Sequence, residues 1–237
     1  MKKTLLTLAL ALLAGGAQAI TMTELLDNGS ITAGDKLFDQ WEVTFTGTSD
    51  PSATWDFSAI QVNALHDGGD DPGPGLMIDL GNQMTVTGDG IYAYRDLTFT
   101  FHVSTIGDKK IKDNLLNFGN PGSVLTWLVD DSSDLGVFVE EWVTSVSGDP
   151  LAHKFIEFSI LDGVETRNWP DNAAFLPQDE IFVKKNFLVW AVDDTDTASM
   201  GGIEQRFSQA AVPEPSILGL LGLGLAGLGF ARMRRKA

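Results

Sequence analysis

Apolar and polar residues alternate along most of the chain with a period of two, the pattern of half-buried β-strands. The clearest run is LTFTFHV at residues 97–103, in which the residues predicted to face one way are Leu97, Phe99, Phe101 and Val103. Similar patterns predict strands at residues 40–47, 60–63, 76–80, 84–86, 112–118, 124–130, 136–147, 154–162, 181–192 and 203–208. Short strands at fairly even spacing predict an all-β fold, an antiparallel β-sandwich or jelly roll.

One helix is predicted at residues 21–28, because Thr21 or Thr23 can cap it and Glu24 favours the first turn. The segment HDGGDDPGPG at residues 66–75 is predicted to be a loop, and residues 208–214 a short linker. The sandwich domain is therefore predicted to span residues 20–209.

The N-terminal segment, residues 1–19, has the features of a secretory signal peptide. Lys2 and Lys3 precede an apolar stretch at residues 5–14, and Ala17 and Ala19 form a small-x-small cleavage site. We therefore expect export through the general secretory route and cleavage after Ala19.

The C-terminal segment, residues 210–237, combines three parts in a fixed order. Pro213, Glu214 and Pro215 precede an uncharged apolar run at residues 216–231, and the basic end at residues 232–236 contains Arg232, Arg234 and Arg235. As a helix the apolar run would measure about 24 Å, and extension to about residues 216–233 would bring it closer to the ~30 Å hydrocarbon core. The positive-inside rule then places the domain across the membrane from both basic ends. An ordinary membrane anchor after a proline-containing linker is the alternative.

This arrangement resembles the PEP-CTERM sorting signal of Gram-negative, exopolysaccharide-producing bacteria. The resemblance implies that a membrane-embedded exosortase recognises the tail and that the chain is an exported protein. The domain is also similar to PEP-CTERM proteins that share stretches like SITAGDKLF at residues 30–38 and IEQRFSQ at residues 203–209. For this part of the chain the resemblance implies a β-sandwich and no particular activity.

The composition excludes several function classes. The segment between the two terminal signals holds ten basic and 31 acidic residues, a net charge near −21, which excludes nucleic-acid binding and disfavours anionic lipid. The chain has no cysteine, which excludes disulfides, thiol catalysis, thiolate metal sites and lipoprotein attachment.

Acidic loops are the candidates for metal binding. Calcium requires six to eight oxygen ligands, and two loops could supply carboxylates: Asp67, Asp70 and Asp71 in one, and Asp193, Asp194 and Asp196 in the other. The alternative is that these aspartates serve as turn residues on an acidic surface. No cofactor is otherwise expected, since the three histidines show no ligand spacing and no phosphate-loop or nucleophile motif is present.

The tryptophans are candidates for sugar contacts. Trp41 is predicted to lie in the core, and Trp127 and Trp190 are also predicted to face inward. Trp55 and Trp169 fall in loop-like stretches and are the candidates for an exposed glycan platform, with burial as the alternative.

Together these features predict a non-enzymatic protein with a structural or interaction role in the exopolysaccharide matrix. Its precursor would be anchored in the inner membrane and then pass to the cell surface or the extracellular space. Its expected partners are the exosortase and extracellular polysaccharide. A carbohydrate-binding module of that matrix is the alternative, followed by a secreted glycan hydrolase.

Overall fold

The computed structural model describes residues 19–119, 122–126 and 133–211. One short helix, α1 (Met22–Leu26), lies near the start of this part. Thr21 caps it: the Thr21 hydroxyl accepts a hydrogen bond from the backbone N–H of Glu24, and the Glu24 carboxylate accepts from the backbone N–H of Thr21. This capping box satisfies two helix-terminal N–H groups, so the helix predicted at residues 21–28 is confirmed in a shorter form.

Strands form almost all of the remaining regular structure. In chain order they are β1 (Ile20–Thr21), β2 (Ile31–Ala33), β3 (Lys36–Thr48), β4 (Gln61–Leu65), β5 (Gly75–Asp79), β6 (Thr85–Thr87), β7 (Ala93–Thr105), β8 (Lys109–Phe118), β9 (Val124–Thr126), β10 (Leu135–Ser145), β11 (Pro150–Leu161), β12 (Val164–Asn168), β13 (Asp171–Gln178), β14 (Glu180–Ala191), β15 (Thr197–Ser199) and β16 (Gly202–Ala211).

The described strands form three antiparallel sheets. A six-stranded sheet has the order β1-β4-β5-β16-β8-β13, and a seven-stranded sheet has the order β12-β11-β10-β14-β7-β3-β2. A small third sheet has the order β6-β15-β9. The two large sheets pack face to face, as the contact between Phe38 of β3 and Phe207 of β16 shows, with ring centroids 5.5 Å apart. The predicted antiparallel β-sandwich is confirmed.

The core lies between the inner faces of the two large sheets. Leu97, Phe99, Phe101 and Val103 are all fully buried, as the alternation in β7 predicts. Trp41 is also in the core, where its ring stacks on Phe101 with centroids 4.6 Å apart. Such buried aromatic pairs add packing energy beyond the area that they remove from water.

Some boundaries and orientations differ from the predictions. β16 continues to Ala211, where it pairs with Lys109, so part of the predicted linker is strand. Trp190 faces outward, and the prediction that it points into the core is wrong. Its neighbours Val189 and Ala191 are the buried residues, because side chains alternate along β14. Trp127 lies outside the described residues.

Two terminal predictions also fall outside the described part. The cleavage residue Ala17 is not within it, whereas β1 begins at Ile20, directly after the predicted cleavage position. In the described ranges, no helix is long and apolar enough to cross a membrane.

Candidate functional site

The outer face of the seven-stranded sheet carries an unusual number of aromatic side chains. Inward positions of β10 and β14 are buried, while the alternate positions point away from the core and, apart from the buried Gly136, are half-buried or exposed. The pairing register places the outward residues of neighbouring strands side by side. The aromatic residues of this outer face are Phe45, Tyr94, Phe138, Trp142, Phe155, Phe182 and Trp190.

Trp190 forms the flat part of this face. It pairs with Gly136 of β10, and a Cβ atom placed on Gly136 would lie 2.5 Å from Cζ2 and Cη2 of the Trp190 ring. The indole therefore occupies the space that a side chain at position 136 would fill, and it covers the backbone there. A glycine inside a strand weakens the strand unless something approaches it closely, and here the approaching group is the Trp190 ring.

Polar groups surround this platform. Phe138 and Phe155 extend its apolar surface, with ring centroids 5.8 Å apart. In the row of residues that pair across the sheet at Phe138, Glu157 lies directly beside Phe138, and Asp96 lies on the other side, beyond Leu188. The Ser159 hydroxyl donates to Glu157 Oε1 at 2.5 Å. Burial raises the pKa of Asp96, which accepts a hydrogen bond from Asn186. The arrangement, an aromatic surface bordered by hydrogen-bonding side chains, is typical of sites that orient a polar ring-shaped ligand. We name Trp190, Phe138 and Phe155 the aromatic platform.

Trp142 lies on the same face, among charged and polar side chains. The Lys184 ammonium lies 5.2 Å from its ring centroid, and the His153 ring stacks beside it with centroids 5.5 Å apart. His153 Nε2 is in turn 2.7 Å from Glu140 Oε1. Trp142 therefore has charged or polar neighbours in both adjacent strands.

The two tryptophans predicted as a glycan platform lie elsewhere and are half-buried. Trp55 stacks on Phe57 with centroids 6.3 Å apart, and the Arg95 guanidinium lies 4.2 Å from its ring centroid. Trp169 contacts Phe118 and Phe158, with centroid distances of 5.2 and 5.7 Å. Their role in sugar binding stays a prediction.

The aspartates of the loop at residues 66–74 are paired with cations of the chain. Asp67 accepts from Arg206, Asp70 from Lys109, and Asp71 from Lys112. These hydrogen bonds lower the pKa of all three carboxyls. The loop also borders a cleft of about 590 Å³. Asp35 and Gln209, which line this cleft, accept hydrogen bonds from the buried Lys36.

The second predicted calcium loop, with Asp193, Asp194 and Asp196, follows the Ala191 end of β14, whereas the first lies near the Thr105 end of β7. Because Ala191 pairs with Ala93, at the other end of β7, the two loops are separated by the length of the strands. Within residues 19–119, 122–126 and 133–211, no three His, Asp or Glu side chains are grouped as a metal site. Calcium binding stays a prediction.

A polar cluster in the core was not predicted. Glu141, Lys154 and Lys185 point inward from the seven-stranded sheet, and Asn114 and Gln205 meet them from the six-stranded sheet. Glu141 contacts both lysines, which hold its pKa at about 2 against the effect of burial. Burial lowers the pKa of Lys185 to about 8, although Glu141 opposes this. We name these five residues the core polar cluster.

Comparison with known proteins gives a match for the C-terminal segment. Residues 211–236 match the PEP-CTERM protein-sorting motif, as the tail predicts. The chain carries a PEP-CTERM sorting motif at residues 211–236. The motif marks an exported protein that an exosortase sorts at a membrane. The predicted motif residues Pro213, Glu214, Pro215, Arg232, Arg234 and Arg235 lie within the matched segment and outside the described residues.

No curated protein matches the PEP-CTERM chain in sequence. The enzymatically active domain of bacteriophage CBA120 tailspike protein 4 is 15% identical with a TM-score of 0.26, over 73% of this chain and 19% of that one. A mannan-recognising carbohydrate-binding module is 9% identical with a TM-score of 0.26, over 80% and 96% of the two chains. The chain spans about a fifth of the length of the tailspike structure. These distant likenesses carry no argument about the site.

Proposed function

We propose that this PEP-CTERM protein is a non-enzymatic component of the exopolysaccharide matrix that binds polysaccharide through the aromatic platform. The observation that carries the proposal is the position of Trp190, whose ring covers Gly136 on the outer face of a large sheet. The apolar C–H face of a pyranose ring stacks on such a surface, and its hydroxyl groups can donate to carboxylates at the border. A sheet face suits a long chain better than a single small molecule.

The charge of the domain favours a neutral polysaccharide. The segment between the terminal signals has a net charge near −21, and Asp96 and Glu157 border the platform itself. Carboxylates repel uronic acids but accept hydrogen bonds from neutral sugars. We therefore expect neutral glucans, galactans or mannans to bind more tightly than polyuronates.

Export and sorting supply the setting for this function. The signal at residues 1–19 would direct secretion with cleavage after Ala19, and the tail would hold the precursor in the inner membrane until the exosortase acts. Deletion of residues 212–237 in an exosortase-positive host should leave the protein undelivered to the surface, as cell fractionation would show. Unchanged surface delivery would contradict the sorting proposal and leave the glycan proposal intact.

A glycan array followed by calorimetry tests the binding proposal. Trp190→Ala should weaken binding of a neutral polysaccharide by about tenfold or more, since a lost aromatic contact is worth about 0.5–1.5 kcal/mol beyond its buried area. Leu176→Ala is the control, because Leu176 is an exposed apolar residue on β13 of the other large sheet and lies off the aromatic platform. Equal losses in both variants, or no binding to any neutral polysaccharide, would contradict the proposal.

A further inference from the structure

Three side chains of the core polar cluster have the chemistry of an amide-forming site. Lys154 Nζ contacts Asn114 Oδ1 directly and lies 3.4 Å from the Asn114 backbone carbonyl oxygen. Asn114 Nδ2 donates to Glu141 Oε1 at 2.6 Å, and Lys154 Nζ lies 2.5 Å from the same carboxylate oxygen. An amine, a carboxamide and a carboxylate are therefore in mutual contact.

These three residues come from both layers of the sandwich. Asn114 lies on β8 of the six-stranded sheet, whereas Glu141 and Lys154 lie on β10 and β11 of the seven-stranded sheet. Glu141 and Lys154 occupy paired positions in neighbouring strands, so the sheet register fixes their separation. All three are at most 1% exposed. The backbone thus holds the reacting groups together in a site that excludes bulk water, as proximity catalysis requires.

The charges of the cluster are not balanced. Two buried ammonium groups, Lys154 and Lys185, share the single carboxylate of Glu141. Buried charges are costly unless they are paired, so one of the two lysines remains uncompensated. A reaction that consumes one ammonium group would leave Glu141 and Lys185 as a one-to-one ion pair.

The geometry points to an intramolecular isopeptide bond between the side chains of Lys154 and Asn114, formed with Glu141 as the catalytic residue. Glu141 takes a proton from Nζ, and the freed lone pair of Nζ forms a bond to Cγ of Asn114. Glu141, now protonated, gives this proton to Nδ2. The Cγ–Nδ2 bond breaks with its electron pair on nitrogen, and ammonia leaves. Glu141 takes the second proton from Nζ and passes it to the departing ammonia, so both Nζ protons leave as ammonium and Glu141 is again a carboxylate. No oxidant or other reactant is consumed.

The neighbouring pair, Lys185 and Gln205, is not arranged for the same reaction. Lys185 Nζ contacts Gln205 Oε1 and Glu141 Oε2. However, Gln205 Nε2 has no hydrogen-bond partner, so no carboxylate is placed to protonate the nitrogen that would have to leave. Of the two pairs, only Lys154 and Asn114 have both the attacking and the leaving nitrogen in contact with Glu141.

Peptide mass spectrometry of the denatured full-length protein tests the proposal. Residues 113–154 contain no internal lysine or arginine, and Glu140 and Glu141 lie between Asn114 and Lys154. Digestion with trypsin and a glutamyl endopeptidase should therefore separate the two residues unless a bond joins them. We expect the fragments 113–140 and 142–157 to remain joined, with a mass about 17 Da below their sum because one ammonia is lost. The modified Lys154 should resist trypsin.

Variants separate the bond from other causes of ammonia loss. In Lys154→Arg trypsin should cut after residue 154, and fragments 113–140 and 142–154 should be separate and of full mass. Glu141→Gln should greatly reduce the joined product. Lys185→Met should retain the bond, which controls for disturbance of the cluster. Separate, full-mass fragments from the wild-type protein would overturn the proposal whatever the variants do. Ammonia loss that persists in Lys154→Arg, or a bond between Lys185 and Gln205, would also overturn it.

Discussion

Replacing Glu141 by Gln gives the sharpest test of the energetics of the core. The substitution keeps the size of the side chain but removes the negative charge that pairs with Lys154 and Lys185. Breaking a buried ion pair by removing one partner costs about 3–5 kcal/mol, because the remaining charge is left uncompensated. A domain of this size has about 5–15 kcal/mol of stability in total, so the loss is a large fraction of it.

The adjacent residue supplies a matched control. Glu140 is on the same strand but points to the outer face, where it contacts His153 and is partly exposed. Glu140→Gln should therefore cost less than about 1 kcal/mol. Urea unfolding monitored by tryptophan fluorescence gives both values from the shift in midpoint at unchanged slope. If Glu141→Gln is no less stable than Glu140→Gln, the buried pair does not contribute as the structure indicates.

A cross-link would increase this difference. A bond between residues 114 and 154 closes a loop with a sequence separation of 40 residues, which corresponds to about 4 kcal/mol of lost chain entropy in the unfolded state. Because Glu141→Gln would remove both the ion pair and the bond, this variant can be unfolded. A Glu141→Gln variant as stable as the wild-type protein would contradict both the ion pair and the bond.

Further predictions concern pH and the platform. With Lys154 unreacted, the folded pKa of Glu141 is about 2 against an ordinary 4.5, so the unfolded state binds more protons between these values. About 3 kcal/mol of stability should therefore be lost as pH falls from 4.5 to 2. Melting temperatures across this range should fall more in the wild-type protein than in Glu141→Gln. Lys185 has a folded pKa of about 8 against an ordinary 10.5, so the unfolded state binds more protons between these values and stability should rise as pH increases from 8 to 10.5. Lys185→Met should remove this rise, which urea unfolding at alkaline pH would measure. Gly136→Val should displace the Trp190 ring and lower the free energy of unfolding by about 1–3 kcal/mol. It should also shift tryptophan emission and weaken glycan binding. Unchanged emission would contradict the position of the ring.

The strands and the sorting tail could be predicted because their signals are local. The alternation in LTFTFHV gives both the strand and its buried face, and all four apolar residues are buried as predicted. The sorting motif depends on the order of three short segments at one end of the chain, and it needs no information about the fold. Short strands such as β2 and β15 were missed, because three residues are too few to show a period.

The candidate site was harder to predict because it depends on contacts between distant strands. The run FLVWA at residues 187–191 contains no polar residue, so its inner and outer faces cannot be assigned from the run alone. Only the pairing with Gly136 shows why Trp190 lies outward. For the core polar cluster a signal did exist: Glu141 is in phase with Val139 and Val143 on the buried face of β10. The sequence pattern does not show which side chains from other strands contact Glu141 and make burial of its carboxylate possible.

The continuity of β16 with the tail determines how the domain would carry mechanical load. β16 lies inside the six-stranded sheet, paired with β5 on one side and β8 on the other, and it ends at Ala211 where the sorting segment begins. A pull on a tethered C-terminus would therefore first load the ladder between β16 and β8, and then reach residues 202–206, where β5 also pairs with β16. The first bonds to be loaded join Ala211 and Ala210 to the start of β8. A covalent link from β8 to the opposite sheet would pass that force across the whole sandwich.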